Sequence, residues 1–443
     1  MLLSNQARKL RYLTGLNPKI FHAYDVRGKY PQQINEDSAF RLGYFLPRVL
    51  RRGQKKIKIV VAADSRPSSS VLKCRLIDGL RQNRVLVIDA GEIATPILYF
   101  AVKKTEANLG IMITGSHLAQ NRNGFKICRP DLQIISGMEL KKYLPIFNQP
   151  IVFSEATSRC QKKDFINDYA NFILSKAVFS PKDIAYLKKI KIKVARSSKP
   201  VSLVLKKISK KSSLPIKFVA RPSKTASGLT IAFDSDADRF FVFDNFNKLI
   251  LGDIIGAILT DCLLRNNPGE SIIVDERSTS LISEIAKKRR DKIFYSRVGH
   301  SFFKKAMRQH QARLGIEKLG HYYWKELLYV DDGIFTFLKF LKCLAQNRKK
   351  FADLIKNYRK YATLPEQNFK NNNWKNKMDR IKKFFKKSCR RLSLFDGLTM
   401  EFDRWRFNLR PSQTEPFLRL NIEAASKEIL REKFDALKRF LKN

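Results

Sequence analysis

Between residues 57 and 113 short apolar runs alternate with amphipathic stretches, and each run ends in a polar loop. Residues 57–62 (IKIVVA) are apolar apart from Lys58, and residues 85–88 (VLVI) and 109–113 (LGIMI) carry no charge at all, the pattern of strands buried on both faces. A helix fits after the first run, its start marked by the hydroxyls of Ser68, Ser69 and Ser70 and its course directed toward Gly79. Thr95-Pro96 opens another. Strand, helix, strand, helix, strand in so short a span predicts a parallel sheet with helices on both faces. Such a sheet gathers its loops at the carboxyl ends of its strands, here residues 64–70, 91–96 and 114–126.

The rest of the chain repeats this grammar. Residues 36–50 can form a helix, with Pro47 near its end as an interruption or a bend. Pro145, Pro150 and the polar run 154–163 predict a first boundary. A helix near 164–174 and a strand near 191–195 follow, then a strand at 229–233, the loop DSDADR at 234–239 and a strand at 240–243. Asn267-Pro268-Gly269 breaks the chain again. Strands at 271–274, 293–296 and 314–316 then alternate with helices at 279–290 and 301–309, and the last strand leads into Glu317-Lys318-Leu319-Gly320-His321. Residues 364–377, rich in asparagine, mark a last boundary. Beyond it Trp374, Met378, Ile381, Phe384 and Phe385 line one side of a very basic helix, expected to face a small core rather than a membrane or an RNA. Strands at 391–395 and 405–409 and a helix from about residue 425 complete the reading.

With 443 residues, 44% of them hydrophobic and 11% aromatic, the chain has the composition of a folded protein of several domains. The long apolar stretch at 249–264 contains Asp253 and Asp261, so no bilayer span is expected, and the opening residues lack the pattern of a secretory leader. Cys74, Cys128, Cys160, Cys262, Cys343 and Cys389 are scattered and never spaced C-x-x-C, which fits reduced thiols and a cytoplasmic protein. The formal charge of +47 is extreme. Its lysines and arginines are spread along nearly the whole chain beside abundant Asn, Ile and Phe, so it reads as a compositional bias before it reads as a nucleic-acid or membrane face.

Three loops carry chemistry. Residues 114–126 (TGSHLAQNRNGFK) hold a hydroxyl, an imidazole and an ammonium in Ser116, His117 and Lys126. No G-x-S-x-G elbow surrounds Ser116, and His117 is adjacent to it, which argues against a hydrolase triad. In DSDADR the carboxylates of Asp234, Asp236 and Asp238 recur every second residue, so an extended loop would turn all three to one side. Like charges that close call for a cation, and three hard oxygens suit Mg²⁺. A calcium EF-hand fails at its sixth position, Arg239, and at its twelfth, Asn245. Residues 410–419 (RPSQTEPFLR) offer Arg410, Ser412, Gln413, Thr414 and Arg419 as an anion clamp. Ser116 would then carry a phosphoryl group held by the cation and by Lys126.

These residues resemble the α-D-phosphohexomutases, and within them the bacterial phosphomannomutase/phosphoglucomutase branch. The family's T-A-S-H-N-P-x-x-Y-N-G-x-K loop is matched at 114–126 in its Thr, Ser, His, Asn, Gly and Lys, and its D-G-D-A-D-R loop at 234–239 with only Gly changed, to Ser235. Its G-E-x-S-G-H loop is similar to residues 316–321, and its R-P-S-x-T-E-P loop is matched fully at 410–416. YDVRG at 24–28, with Arg27, and D-x-R-x-S at 64–68 also look like family elements.

The resemblance implies an α/β protein of three successive mixed-sheet α/β/α domains and a smaller C-terminal α+β domain around a central cleft. Their boundaries would be 1–153 for the phosphoserine loop, 154–265 for the metal, 266–366 for the sugar and 367–443 for the phosphate clamp. It implies reversible phosphoryl transfer between C1 and C6 of a mannose or glucose phosphate through phospho-Ser116 and a 1,6-bisphosphate, in a monomer that takes one Mg²⁺ and a hexose 1,6-bisphosphate activator. A phosphosugar would be its partner, with no nucleic acid required. Ser116, Asp234, Asp236 and Asp238 would hold the metal. Arg27, His117, Lys126, Arg239 and His300 would serve catalysis, while Glu317, His321 and the 410–419 residues would bind substrate. A phosphoglucosamine mutase, or an inactive relative with a basic binding surface, is the alternative. This chain departs from the pattern at Gly115, at Leu118-Ala119 where Asn-Pro would stiffen the serine loop, at Arg122, Ile316 and Leu319, and around residues 196–198.

Overall fold

The computed structural model describes residues 15–50, 57–116, 118–153, 158–224, 228–370, 373–412 and 416–442. The chain gathers into two compact units. The first holds the described residues up to Val178 with Arg196–Leu214 and Phe233–Asp238; the second holds Phe179–Ala195, Pro215–Ala232 and the described residues from Arg239 onward.

The first unit is built on one sheet in the order Val26–Lys29, Arg122–Cys128, Leu109–Ile113, Ile57–Ala63, Val85–Glu92, Cys160–Lys162, with Ile134–Ile135 against Arg122–Cys128. The apolar runs do pair in parallel. The sheet as a whole is mixed, as the resemblance implies, because Arg122–Cys128 returns antiparallel to Leu109–Ile113 and Val26–Lys29 is antiparallel to it in turn. The connection from 114 to 121 is too short for a crossover, which needs roughly a dozen residues or more, so a hairpin is the only way back. Cys160–Lys162 lies within the polar run expected to mark a boundary and pairs with Val85–Glu92; its exposed side chains are those of an edge strand.

Helices Glu36–Leu50 and Pro67–Arg81 cover this sheet, the first continuing through Pro47. A Cβ on Gly43 would lie 2.2 Å from the Leu76 carbonyl, and one on Gly79 2.1 Å from the Phe40 carbonyl, so the two helices touch backbone to backbone only because both positions are glycine. Leu42, Leu46, Leu72 and Leu80 then meet Ile59, Val61, Ile111 and Ile113 in a core closed to solvent. Ser68, Ser69 and Ser70 do not cap the second helix as expected. Pro67 takes its first position and Arg66 its N-cap, while the Ser69 hydroxyl donates to Asp64 Oδ1 at 2.5 Å.

The second unit carries three sheets. One runs Leu249–Ile250, Phe240–Phe243, Leu229–Phe233, Ile192–Ala195, Ile216–Val219. The next runs Lys292–Ser296, Ser271–Asp275, Leu314–Ile316, Tyr322–Trp324, Val330–Asp331, parallel over its first three strands and antiparallel thereafter. The last is antiparallel, Ala362–Thr363, Phe417–Ala424, Trp405–Pro411, Leu398–Glu401, Arg391–Ser393, with Gln367–Lys370 also against Phe417–Ala424. Helix Trp374–Phe385 buries Met378, Ile381 and Phe385 against Leu398, Phe407, Leu420 and Leu437, which is the core role expected of its stripe. Phe384 does not join them; it is 64% exposed. Among the described residues no helix is long and apolar enough to cross a membrane.

Helix Gly252–Asn266 buries Asp253 in its first turn. Burial raises the Asp253 carboxyl to about 6 against an ordinary 3.8; Lys318 opposes the rise, and Glu423 and Asp275 add to it. The folded state therefore prefers the protonated acid, and the stability this lends is full below pH 3.8 and lost as pH rises through about 6. Asp253→Asn is expected to stabilise the protein by about 2–3 kcal/mol at pH 8 and by much less at pH 4. Urea unfolding at the two pH values checks this.

Candidate functional site

The Ser116 loop lies at the carboxyl end of Leu109–Ile113. Asp64, at the end of the neighbouring strand, organises it: the carboxylate accepts from the Thr114 hydroxyl at 2.8 Å, the Gly115 amide at 3.2 Å and the Arg66 amide at 3.1 Å. Thr114 Oγ1 in turn accepts from the Ser116 amide at 2.8 Å. Ser116 has a φ of 49°, a left-handed backbone that serine adopts only under restraint. His117 lies outside the described residues. Lys126, read as part of the loop, sits instead on Arg122–Cys128 opposite Met112. Arg27 neighbours the same strand opposite Gly124 and forms a two-point pair with Asp25, at 2.5 and 2.7 Å.

Asp234, Asp236 and Asp238 belong to the same unit. Their segment is a turn rather than the extended loop expected: Ala237 has a φ of 54° and its amide donates to the Asp234 carbonyl at 3.3 Å. One oxygen from each carboxylate still lies within 4.8 Å of the others. The turn is held from two sides. Thr95, opening helix Thr95–Lys104, donates its hydroxyl to Asp236 Oδ2 at 2.8 Å and its amide to the Asp236 carbonyl at 2.9 Å. Ser235 Oγ donates to the Ser116 carbonyl at 2.6 Å, which joins the serine loop to the aspartate turn.

Lys126 Nζ is 2.7 Å from Asp236 Oδ2 and 2.5 Å from Asp238 Oδ2. Burial alone would lower its pKa; the two carboxylates override that and hold the ammonium well above its ordinary value. Asp236 is pushed up, first by burial and then by Asp238, with Lys126 pulling the other way. One ammonium thus leaves the cluster short of positive charge, and Asp236 Oδ1 is buried with no hydrogen-bond partner among the described residues. Three hard oxygen donors with one such orphaned atom fit a divalent cation. The role expected of Lys126, a contact to a phosphoryl group, is here taken up by carboxylates.

In the second unit residues 317–321 form a tight turn, the Glu317 amide donating to the His321 carbonyl at 2.9 Å and the Gly320 amide to the Glu317 carbonyl at 3.0 Å. Tyr323 donates its hydroxyl to Glu317 Oε1 at 2.6 Å. Burial raises the Glu317 carboxyl, with His321 and Tyr323 opposing. Arg239 Nε donates to His321 Nε2 at 2.7 Å, which leaves the ring proton for Nδ1, 3.2 Å from Asp331 Oδ2. Behind them the fully buried Lys304 ammonium lies 3.3 Å from Asp331 Oδ1. His300 opens the same helix as Lys304, after Gly299 at a φ of 122°.

Arg410 and Arg419, read as ends of one loop, lie on adjacent strands and face each other in register. Two guanidiniums directly opposed repel unless an anion or a carboxylate lies between them. Glu366 supplies part of this, 3.4 Å from Arg419 and 3.7 Å from a third, fully buried guanidinium, Arg277. Burial lowers the Arg410 pKa and Arg277 lowers it further, while Asp396 and Glu366 raise it. Ser412 closes the strand pair, its amide donating to the Phe417 carbonyl at 2.8 Å, while Gln413 and Thr414 lie outside the described residues. Arg277 was not anticipated, although the sequence signals it. Asp275-Glu276-Arg277 repeats Asp64-Ser65-Arg66 at the matching strand end, and in both the arginine amide donates to the aspartate, at 2.8 and 3.1 Å.

Two segments match family descriptions: residues 18–142 match "Phosphoglucomutase/phosphomannomutase, alpha/beta/alpha domain I" and residues 251–361 match domain III of the same family. The phosphomannomutase of Methanocaldococcus jannaschii is 30% identical over 454 residues, covering 95% of this chain and 97% of the relative. An Escherichia coli phosphomannomutase is 28% identical, covering 91% and 94%. A crystal structure of a phosphoglucomutase/phosphomannomutase family protein from Burkholderia thailandensis superposes with a TM-score of 0.83 at 24% identity, over 96% of this chain and 97% of that one. Fold, motifs and sequence agree, and the chain belongs to the α-D-phosphohexomutase family of mutases.

Proposed function

We propose that this chain moves a phosphoryl group reversibly between C1 and C6 of a hexose phosphate, mannose first and glucose second, through phospho-Ser116 and a 1,6-bisphosphate intermediate. The observation that carries the reading is the bond from Ser235 Oγ to the Ser116 carbonyl, which sets the nucleophile loop beside three clustered carboxylates. Asp234, Asp236 and Asp238 would hold one Mg²⁺, which when bound draws charge from the phosphoryl in flight. Lys126 supplies the fixed positive charge behind those carboxylates, and Thr95 keeps Asp236 turned toward it. Glu317, protonated more readily than an ordinary carboxyl, presents its buried oxygens to sugar hydroxyls. Arg277, Arg410 and Arg419 grip the phosphate that is not reacting. The Arg239 guanidinium is held by His321 for developing negative charge.

A coupled assay with mannose 1-phosphate, glucose 1-phosphate and glucosamine 1-phosphate, supplied with Mg²⁺ and a hexose 1,6-bisphosphate, tests the proposal. Turnover of the mannose or glucose ester supports it; turnover of glucosamine 1-phosphate alone replaces the sugar, and none with any ester refutes it. Arg410→Ala is expected to raise KM about tenfold or more with a smaller fall in kcat, since the clamp acts on bound substrate and transition state alike.

A further inference from the structure

The restraint on Ser116 is unusual in where it acts. The carbonyl of the nucleophile itself accepts two hydrogen bonds, from Arg66 Nη2 at 2.6 Å and from Ser235 Oγ at 2.6 Å. The Arg66 guanidinium goes on to bond the Leu118 carbonyl at 2.7 Å, the Ala119 carbonyl at 2.8 Å and the Arg122 carbonyl at 3.2 Å, so one planar group ties down four carbonyls of the loop. Its own position is set by Asp64, 3.3 Å from Nε, in a pair hidden from solvent. Gly115 leaves room for this: a Cβ there would fall 2.5 Å from Arg66 Cζ and 2.6 Å from the Arg122 carbonyl oxygen.

Left-handed backbone at a serine costs of order 1–2 kcal/mol and reverts unless neighbours hold it. Leu118 and Ala119 offer no fixed φ of the kind a proline would give. The clamp on the Ser116 carbonyl fixes the peptide plane that follows Cα, and with it the direction of the Cα–Cβ bond. Arg66 anchors that plane to the sheet. Ser235 anchors it to the turn that bears Asp234 and Asp236. The family pattern has glycine at this position, and glycine has no hydroxyl to give.

We propose that Ser235 is a positioning residue for the Ser116 nucleophile, registering its backbone to the metal-binding turn in a loop that lacks proline. The inference rests on the phosphoserine reading above. The test compares wild type with Ser235→Ala, Ser235→Gly and Ser235→Thr by kcat and KM, by the rate of phosphoryl uptake from a hexose 1,6-bisphosphate, by Mg²⁺ affinity and by hydrogen exchange at the Leu118 and Arg122 amides. Loss of the hydroxyl is expected to slow uptake and kcat about tenfold with KM and Mg²⁺ affinity within about twofold, and to speed exchange at both amides about tenfold. Ser235→Thr is expected to restore all of these. Wild-type kcat and exchange in Ser235→Ala would overturn the proposal, as would a fall in kcat matched by a fall in Mg²⁺ affinity. Should wild type itself take up no phosphoryl, the phosphoserine reading fails. The exchange rates then decide the clamp by themselves, supporting it if faster in Ser235→Ala and overturning it if unchanged.

Discussion

Ser116→Ala is expected to lose mutase turnover by about three orders of magnitude or more while melting within a few degrees of wild type. The first half follows from the proposed mechanism: without the hydroxyl there would be no atom to carry the phosphoryl between the two ends of the sugar, and binding alone supplies little rate. The second follows from the geometry. Ser116 bonds Thr114 through its amide and Arg66 and Ser235 through its carbonyl, and alanine keeps both groups. A variant that lost activity and stability together would point to a structural serine. A steady-state assay paired with a thermal melt separates the outcomes.

Asp236→Asn is expected to cost about two to three orders of magnitude in turnover, to weaken Mg²⁺ binding and to destabilise the protein by about 3 kcal/mol. Asp236 is fully buried and central: it accepts from Lys126 and from Thr95, and its second oxygen has no partner among the described residues. An amide would leave the buried Lys126 ammonium with Asp238 as its one remaining carboxylate, which is the costly way to break a buried pair. In wild type, chelation of divalent ions should abolish turnover and added Mg²⁺ should restore it; in Asp236→Asn far more Mg²⁺ should be needed. Titration of activity against Mg²⁺ in both proteins, with urea unfolding, measures all three effects.

Much of the fold was legible because buried strands announce themselves. Residues 57–62, 85–88 and 109–113 needed only their apolar runs, and the acidic turn stood out against a chain of +47. What was misread had a local pattern that suited two structures. Phe417–Ala424 alternates apolar Leu418, Leu420 and Ile422 with polar Arg419, Asn421 and Glu423, a strand period that the polar motif beside it obscures. Lys126 reads as a loop residue in the sequence because a polar hairpin looks like a continuous loop until its register is known. The Ser68–Ser70 hydroxyls read as a helix cap, yet Ser69 donates to Asp64, and Ser68 and Ser69 both accept from Asn123, which is distant in sequence. Arg66 and Arg277 illustrate the limit most clearly. Each is one basic residue among 87, and only the folded chain reveals which carbonyls and carboxylates it gathers.

The most direct test of the account is the intact mass of the protein before and after incubation with mannose 1,6-bisphosphate or glucose 1,6-bisphosphate and Mg²⁺, followed by peptide mapping. The account predicts a gain of one phosphoryl group, located on Ser116, lost again on adding the hexose monophosphate and absent in Ser116→Ala. Turnover by a wild-type chain that never carries a phosphoryl group, or carries it on another residue, would contradict it.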